Sequence, residues 1–413
     1  MLSRQFLSWA NRAPVGERAE ATHALAKAYL YADLDRIEQG EMERAMTCLL
    51  DDPSPLVRRA LAEALAGAAD APHHLVSSLA GDQADIAALV LARSPLLTDA
   101  ELIDAAAIGE LPAQCAIAGR PALSAAVAGA VAEVGQIEAV LVLCRNDGAN
   151  LAEVSVRRIL ERFGRDGGIR EALGNRRDLS SCLRHELVVA TAQALKDFVV
   201  SCRWIARERA HRVVGDACER AAMTLLQHDV ERGDDLGQLR FAAYLRRGGH
   251  LTPALVLRAL LSGHIALFEA ALSELSGQSL GRVAGLVRHR NGLGFAALYR
   301  SCGLPGTLAP VFRAALDAHQ RLSISAGVKG AALQRRIVAD VIDRCGAAQG
   351  HAVDGLTALL RRFEAEAARD EFRASAIEGS GTGRPDLCER APPMSGLRGV
   401  EPRLAADPEL RAA

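Results

Sequence analysis

Aromatic side chains make up only 4% of this 413-residue chain. Its apolar half is mostly Ala, Leu and Val, a mixture that suits close helix–helix packing better than sheets, which favour β-branched and aromatic residues. Charge of one sign is also missing: 49 Lys and Arg face 50 Asp and Glu. Duplex DNA is therefore not a partner the composition demands. Nine cysteines are present, scattered and never spaced Cys-x-x-Cys. That excludes a disulfide framework or a zinc ribbon as the basis of the fold and fits single thiols in a reducing cytoplasm. The N-terminal Met1 to Phe6 stretch lacks the apolar core of a signal peptide. No apolar run reaches membrane-spanning length, since the best region, 112–135, is broken by Arg120 and Pro121. Without His-Glu-x-x-His, a Gly-x-Ser-x-Gly elbow or a Walker loop, no metal, cofactor or catalytic group is expected.

What is present is a helix pair. Asp51-Asp52-Pro53-Ser54-Pro55 follows an apolar helix end at Leu49-Leu50. The prolines break the helix and push the residues before them into a turn. Ser54 then stands at the N-cap, with Pro55 at the first helical position. Val57, Ala60, Leu61, Ala64 and Leu65 recur at helical spacing, with Arg58, Arg59 and Glu63 on the outer face. Asp-Pro-x-x-Val-Arg opening a helix of small residues resembles the HEAT motif. Its pattern returns loosely around Ile86, and again near Val156, where Arg157-Arg158 follows as Arg58-Arg59 follows Val57.

A second phrase also recurs. Pro95-Leu96-Leu97-Thr98 is echoed by Pro121-Ala122-Leu123-Ser124 and, more weakly, by Arg177-Asp178-Leu179-Ser180. In each a leucine precedes a hydroxyl that can cap the next helix, and Thr98 with Glu101 has capping-box spacing. These recurrences predict an all-α fold. A HEAT-like α-solenoid covers 1–180, a second helical domain 181–373, and a disordered tail 374–413, where Gly, Pro and charge replace periodicity. A long pattern with few breakers, from Leu183 to about Glu231, joins the two domains. Phe6 and Trp9 are expected to cover the open end of the stack.

In the second half, Leu251-Thr252-Pro253-Ala254-Leu255, Phe268-Glu269-Ala270-Ala271-Leu272 and Gly292-Leu293-Gly294 with Ala297-Leu298-Tyr299 resemble a bacterial, alphaproteobacterial domain-of-unknown-function family of the DUF 2336 type, with HEAT-like helical repeats. The resemblance extends over roughly residues 5–345. It implies a helical, cytoplasmic bacterial protein, and it implies no activity.

Candidate contact residues fall in three places. Arg58 and Arg59 lie on the outer face of the first pair. Arg203 and Arg207, one helical turn apart, lead the most basic stretch, which also holds Arg209, His211, Arg212 and Trp204. They could grip a nucleic-acid backbone with Trp204 stacking on a base, although an ion-paired, solvated face is the simpler expectation. Arg288, His289 and Arg290 could hold a phosphate or carboxylate, or complement a helix C-terminus. Gly292-x-Gly294-x-x-Ala297 has dinucleotide-loop spacing but follows what reads as a helix end rather than a strand. The leading expectation is a non-catalytic scaffold for a protein partner. The alternatives are a nucleic-acid-binding helical repeat and an enzyme with a pocket between two helical domains.

Overall fold

The computed structural model describes residues 6, 8–10, 12–231, 235–289, 293–325, 331–346 and 354–379. The fold is all-α. No strand occurs among the described residues, and Leu123 and Ala149 make an isolated parallel bridge. The chain divides into two compact units: residues 1–259 with 264–303, and residues 260–263 with those from 304 onward.

The first unit opens with α1 (Val15–Tyr31), α2 (Arg36–Leu49), α3 (Pro55–Leu65), α4 (His73–Ala80), α5 (Ala84–Arg93) and α6 (Asp99–Ile108). It continues through α7 (Leu111–Ala118), α8 (Ala125–Val134), α9 (Ile137–Arg145), α10 (Glu153–Phe163) and α11 (Gly167–Asn175). Two longer helices follow, α12 (Ser181–Ser201) and α13 (Arg207–Glu231). Then come α14 (Asp235–Arg247), α15 (Pro253–Leu261), whose last two residues fall in the second unit, α16 (Ile265–Ser276), α17 (Leu280–Arg288) and α18 (Leu293–Ser301).

From α3 to α11, most helices rest mainly on the one two places before them. The odd row packs α1, α3, α5, α7, α9 and α11 in succession, and the even row packs α6, α8, α10 and α12. Small side chains make this possible. Val127, Ala128, Val131 and Ala132 of α8 are fully buried, as are Leu61, Leu79, Ile86, Ile117 and Leu143 between the rows. Each such leucine or isoleucine contributes about 2 kcal/mol by leaving water.

Polar bonds between successive layers span 24 to 34 residues of sequence. Arg120 donates to the Leu91 and Ser94 carbonyls at the end of α5, Asn146 to those of Ala118 and Arg120 at the end of α7, and Arg176 to those of Asn146 and Ala149 just past α9. On the even row, Arg162 of α10 donates to the Ala132 and Gly135 carbonyls at the end of α8. The last carbonyls of a helix have no partner inside it, so each layer caps the one before. Arg–carboxylate forks also tie layers, late in the stack, where Arg158 of α10 reaches Glu133 of α8 (2.7 and 2.9 Å), and before α5. Arg18 forks onto Asp52 (3.1 and 3.0 Å) and Arg58 onto Asp82 (2.7 and 2.9 Å), each carboxylate lying in the turn of the following pair.

The recurring leucine–hydroxyl phrase marks helix starts. Leu97, Leu123 and Leu179 are buried, Thr98 and Glu101 close a capping box on α6, and Ser124 caps α8. Ser180 instead donates to Glu153 of α10 (3.0 Å). At α3 the sequence expectation needs correction. The Ser54 side chain makes no cap bond, and Asp52 organises the turn by accepting from the Ser54 amide (2.8 Å). Gly148 is fixed by packing, because a Cβ there would sit 1.9 Å from the Pro121 carbonyl oxygen.

The second unit contains a 3-10 turn, Gly306–Leu308, then α19 (Ala309–Ser325), α20 (Ala331–Gly346) and α21 (Asp354–Gly379). Phe312, Ala315, Ile337, Val341, Leu360 and Phe363 form its core. Arg321–Asp340 and Arg335–Glu371 (both 2.7 Å) tie the helices outside it. The helix α21 runs past Arg373 into the segment expected as a disordered tail; the rest of that segment, 380–413, lies outside the described residues.

Candidate interaction surfaces

Between α4 and α6 the even row is bridged by long side chains rather than by close helix contact. Glu101 accepts from Ser77 (3.0 Å) and lies 3.4 Å from His73. The gap leaves a cleft of about 630 Å³. Its floor is apolar and small, with Ala80, Ala84, Ala87, Leu91, Leu97 and Ala113, and Ile108 stands on the rim, 86% exposed. Its polar walls are acidic: Asp82, Glu101, Asp104 and Glu110 line it, and no Lys, Arg or His does. Two of these carboxyls are held below the usual range, Asp82 first by its hydrogen bond from Arg58, Glu101 first by the Thr98 amide. The cleft is thus negative at neutral pH and greasy at its base.

None of the candidate contact residues named from sequence lines this cleft, although Leu97 and Glu101 of the recurring capping phrase do, and Arg58 touches its wall through Asp82. The floor gives no sequence signal, because an alanine facing a gap looks like an alanine facing a neighbouring helix. Arg58 is nearly buried and fully engaged, donating to Asp82 and to the Asp52 carbonyl (2.7 Å). Arg59 is half exposed and pairs only with Glu63, one turn along its own helix (2.9 Å). Adjacent arginines that read alike thus do different things.

Arg203 and Arg207 lie at the turn between α12 and α13. From Val188 to Arg209 no side chain is fully buried, so this end of the helical hairpin packs on itself. Arg203 occupies the left-handed region (φ 57°). Its amide bonds the Val200 carbonyl (3.0 Å), and the Trp204 amide bonds that of Val199 (3.1 Å), a Schellman closure that normally uses glycine. Trp204 is 69% exposed and meets the ring of Phe198 edge-on (5.5 Å, 84°); Leu195, one turn earlier, is also exposed. The expected ion-paired face does not form. Among the described residues Lys196, Arg203, Arg207, Arg209 and Arg212 have no carboxylate partner, whereas Arg157, Arg158, Arg321 and Arg335 do.

Arg288 forks onto Glu269 of α16 (3.1 Å twice). That carboxylate is almost buried, so the guanidinium serves as its counter-charge rather than as an open ligand site. His289 follows the helix end, and Arg290 lies outside the described residues. Gly294 sits in the first turn of α18, and the element before it is the helix α17, not the strand a dinucleotide loop requires.

Several buried groups are tuned toward neutrality. His185 of α12 meets Tyr244 (3.2 Å) and packs against Phe241 and His250. Burial, then His250, pushes its imidazole down to about 4, while the Cys218 backbone acts the other way. Burial lifts the Cys144 thiol to about 12 and those of Cys182 and Cys302 to about 11, so none is a ready nucleophile at neutral pH.

An all-helical chain whose first unit layers short helices, with an acidic cleft and an exposed helical turn, defines an all-α class of protein. Within that class, a bacterial family described as uncharacterised protein conserved in bacteria (DUF2336) matches residues 86–351, and the chain belongs to that family. The match begins at α5, later than residue 5 where the resemblance was expected to start, so α1 to α4 lie before it. Comparisons with curated proteins and with solved structures gave no match. No described helix is long and apolar enough to cross a membrane.

Proposed function

We propose that this chain is a non-catalytic scaffold of HEAT-like helical repeats that binds a protein partner in the bacterial cytoplasm. The cleft over α5 and α7 carries this reading. Its small apolar floor accepts a side chain or one turn of helix, and its acidic walls favour a partner with Lys or Arg beside that apolar anchor. The long-range bonds between layers support it further, since they hold the walls of the cleft in place before any partner arrives, which reduces the entropy lost on binding.

A photo-crosslinking residue placed at Ile108 in the native cell tests this. The expected result is one stoichiometric protein adduct, lost when the exposed rim carboxylates are reversed (Asp104→Lys with Glu110→Lys). The same probe at Tyr31, which is 79% exposed and away from the cleft, should not give that adduct. No adduct at Ile108, or the same mixed adducts at both positions, would sink the proposal.

A further inference from the structure

The turn between α12 and α13 combines features the scaffold reading does not use. Leu195 and Phe198 lie three residues apart on one helix face, Trp204 packs edge-on against Phe198, and all three are more than half exposed. Around them, residues 193–213 carry five Lys or Arg against two carboxylates, in a chain whose formal charge is −1. Those five cations have no ion-pair partner among the described residues. The same turn holds a cavity of about 360 Å³ with Lys196 and Arg207 on its walls, together with Ser201 and Gln193; the one carboxylate lining it, Asp197, accepts from Gln193 (2.9 Å).

We propose that this turn is a docking element for an anionic lipid surface, with Trp204, Phe198 and Leu195 entering the headgroup boundary and the surrounding cations meeting lipid phosphates. Each part of the geometry favours this occupant. Tryptophan and phenylalanine at a helix end, with a basic collar, match the boundary of a bilayer, where one side of a side chain is apolar and the other wet. Free cations near the surface of an anionic leaflet attract it additively. A single-stranded nucleic acid would use the rings for base stacking and the cations for phosphates, but would leave the exposed Leu195 with no role.

The test uses the full chain with Trp9→Phe, so that Trp204 is the one tryptophan left. Vesicles of phosphatidylglycerol should shift its emission to the blue and carry the protein down on sedimentation, with binding that weakens as salt rises. Phosphatidylcholine vesicles should do neither. Arg207→Glu with Arg209→Glu, at exposed positions without ion pairs, should reduce partitioning about tenfold or more, and Phe198→Ser should reduce the blue shift; circular dichroism establishes that both variants fold. Equal binding to neutral and anionic vesicles, or no binding to either, overturns the proposal. So does a single-stranded oligonucleotide or inorganic phosphate that produces the same emission change without vesicles, because the turn would then be reading phosphate in solution rather than a membrane.

Discussion

Arg58 and Arg59 differ by one position and by almost everything else. The Arg58 fork onto Asp82 is nearly dry, so Arg58→Ala leaves a carboxylate and a carbonyl without their donor. It should cost about 2 kcal/mol, read as a lower urea midpoint at unchanged slope. Arg59→Ala removes one exposed pair within a helix and should leave the midpoint where it was. The sequence revealed both as outward-facing arginines after a valine, but not which would be enclosed, because enclosure depends on Asp82 arriving 24 residues later. His185 makes a second residue-scale prediction. Its folded pKa, about 4, lies below its ordinary value of 6.5, so the unfolded chain binds the extra proton first as pH falls. Stability from this group is complete above about pH 6.5 and declines toward pH 4, by up to about 3 kcal/mol. Urea midpoints at pH 7.5 and 5 should therefore converge in His185→Gln relative to the parent chain.

At the scale of elements, helix starts were the most legible feature. Thr98 and Ser124 cap where the recurring phrase places them, and the leucine before each is buried. The helix breaks were legible where proline marks them, as at Pro53 and Pro55. The break between α12 and α13 was not, and 183–231 reads as one long helical pattern. No glycine or proline stands there, since the left-handed position is taken by Arg203. A non-glycine residue in that conformation costs about 1 kcal/mol, so Arg203→Gly should raise the thermal midpoint while leaving the helical signal unchanged. A lower midpoint would mean that the arginine side chain stabilises the turn by more than its backbone strains it. The acidic cleft was illegible for a related reason. It arises from two helices failing to touch, and a pattern of alanines cannot announce a missing neighbour.

For the molecule as a whole, the family match begins at α5. Arg or Asn donors to helix-end carbonyls tie the layers from there on, while Arg–carboxylate forks tie layers both before and after it. Helices α1 to α4 lie before the matched segment, and α3 packs on α5. Ile86 and Val90 of α5 are fully buried, and removing residues 1–85 would uncover the helix that carries them. The truncated chain should aggregate or bind a hydrophobic dye, unlike the full chain; a monomeric, cooperatively unfolding product would show that α5 is a sufficient end by itself.

The spacing of those inter-layer bonds also fixes an order of events. As the chain leaves the ribosome, α5 cannot be closed until Arg120 has emerged, nor α7 until Asn146, nor α9 until Arg176. Each newborn layer therefore waits, open at one end, for its successor. Assembly of this body should advance in step with translation, and a ribosome stalled between two such donors should display the growing stack with its last storey still unroofed.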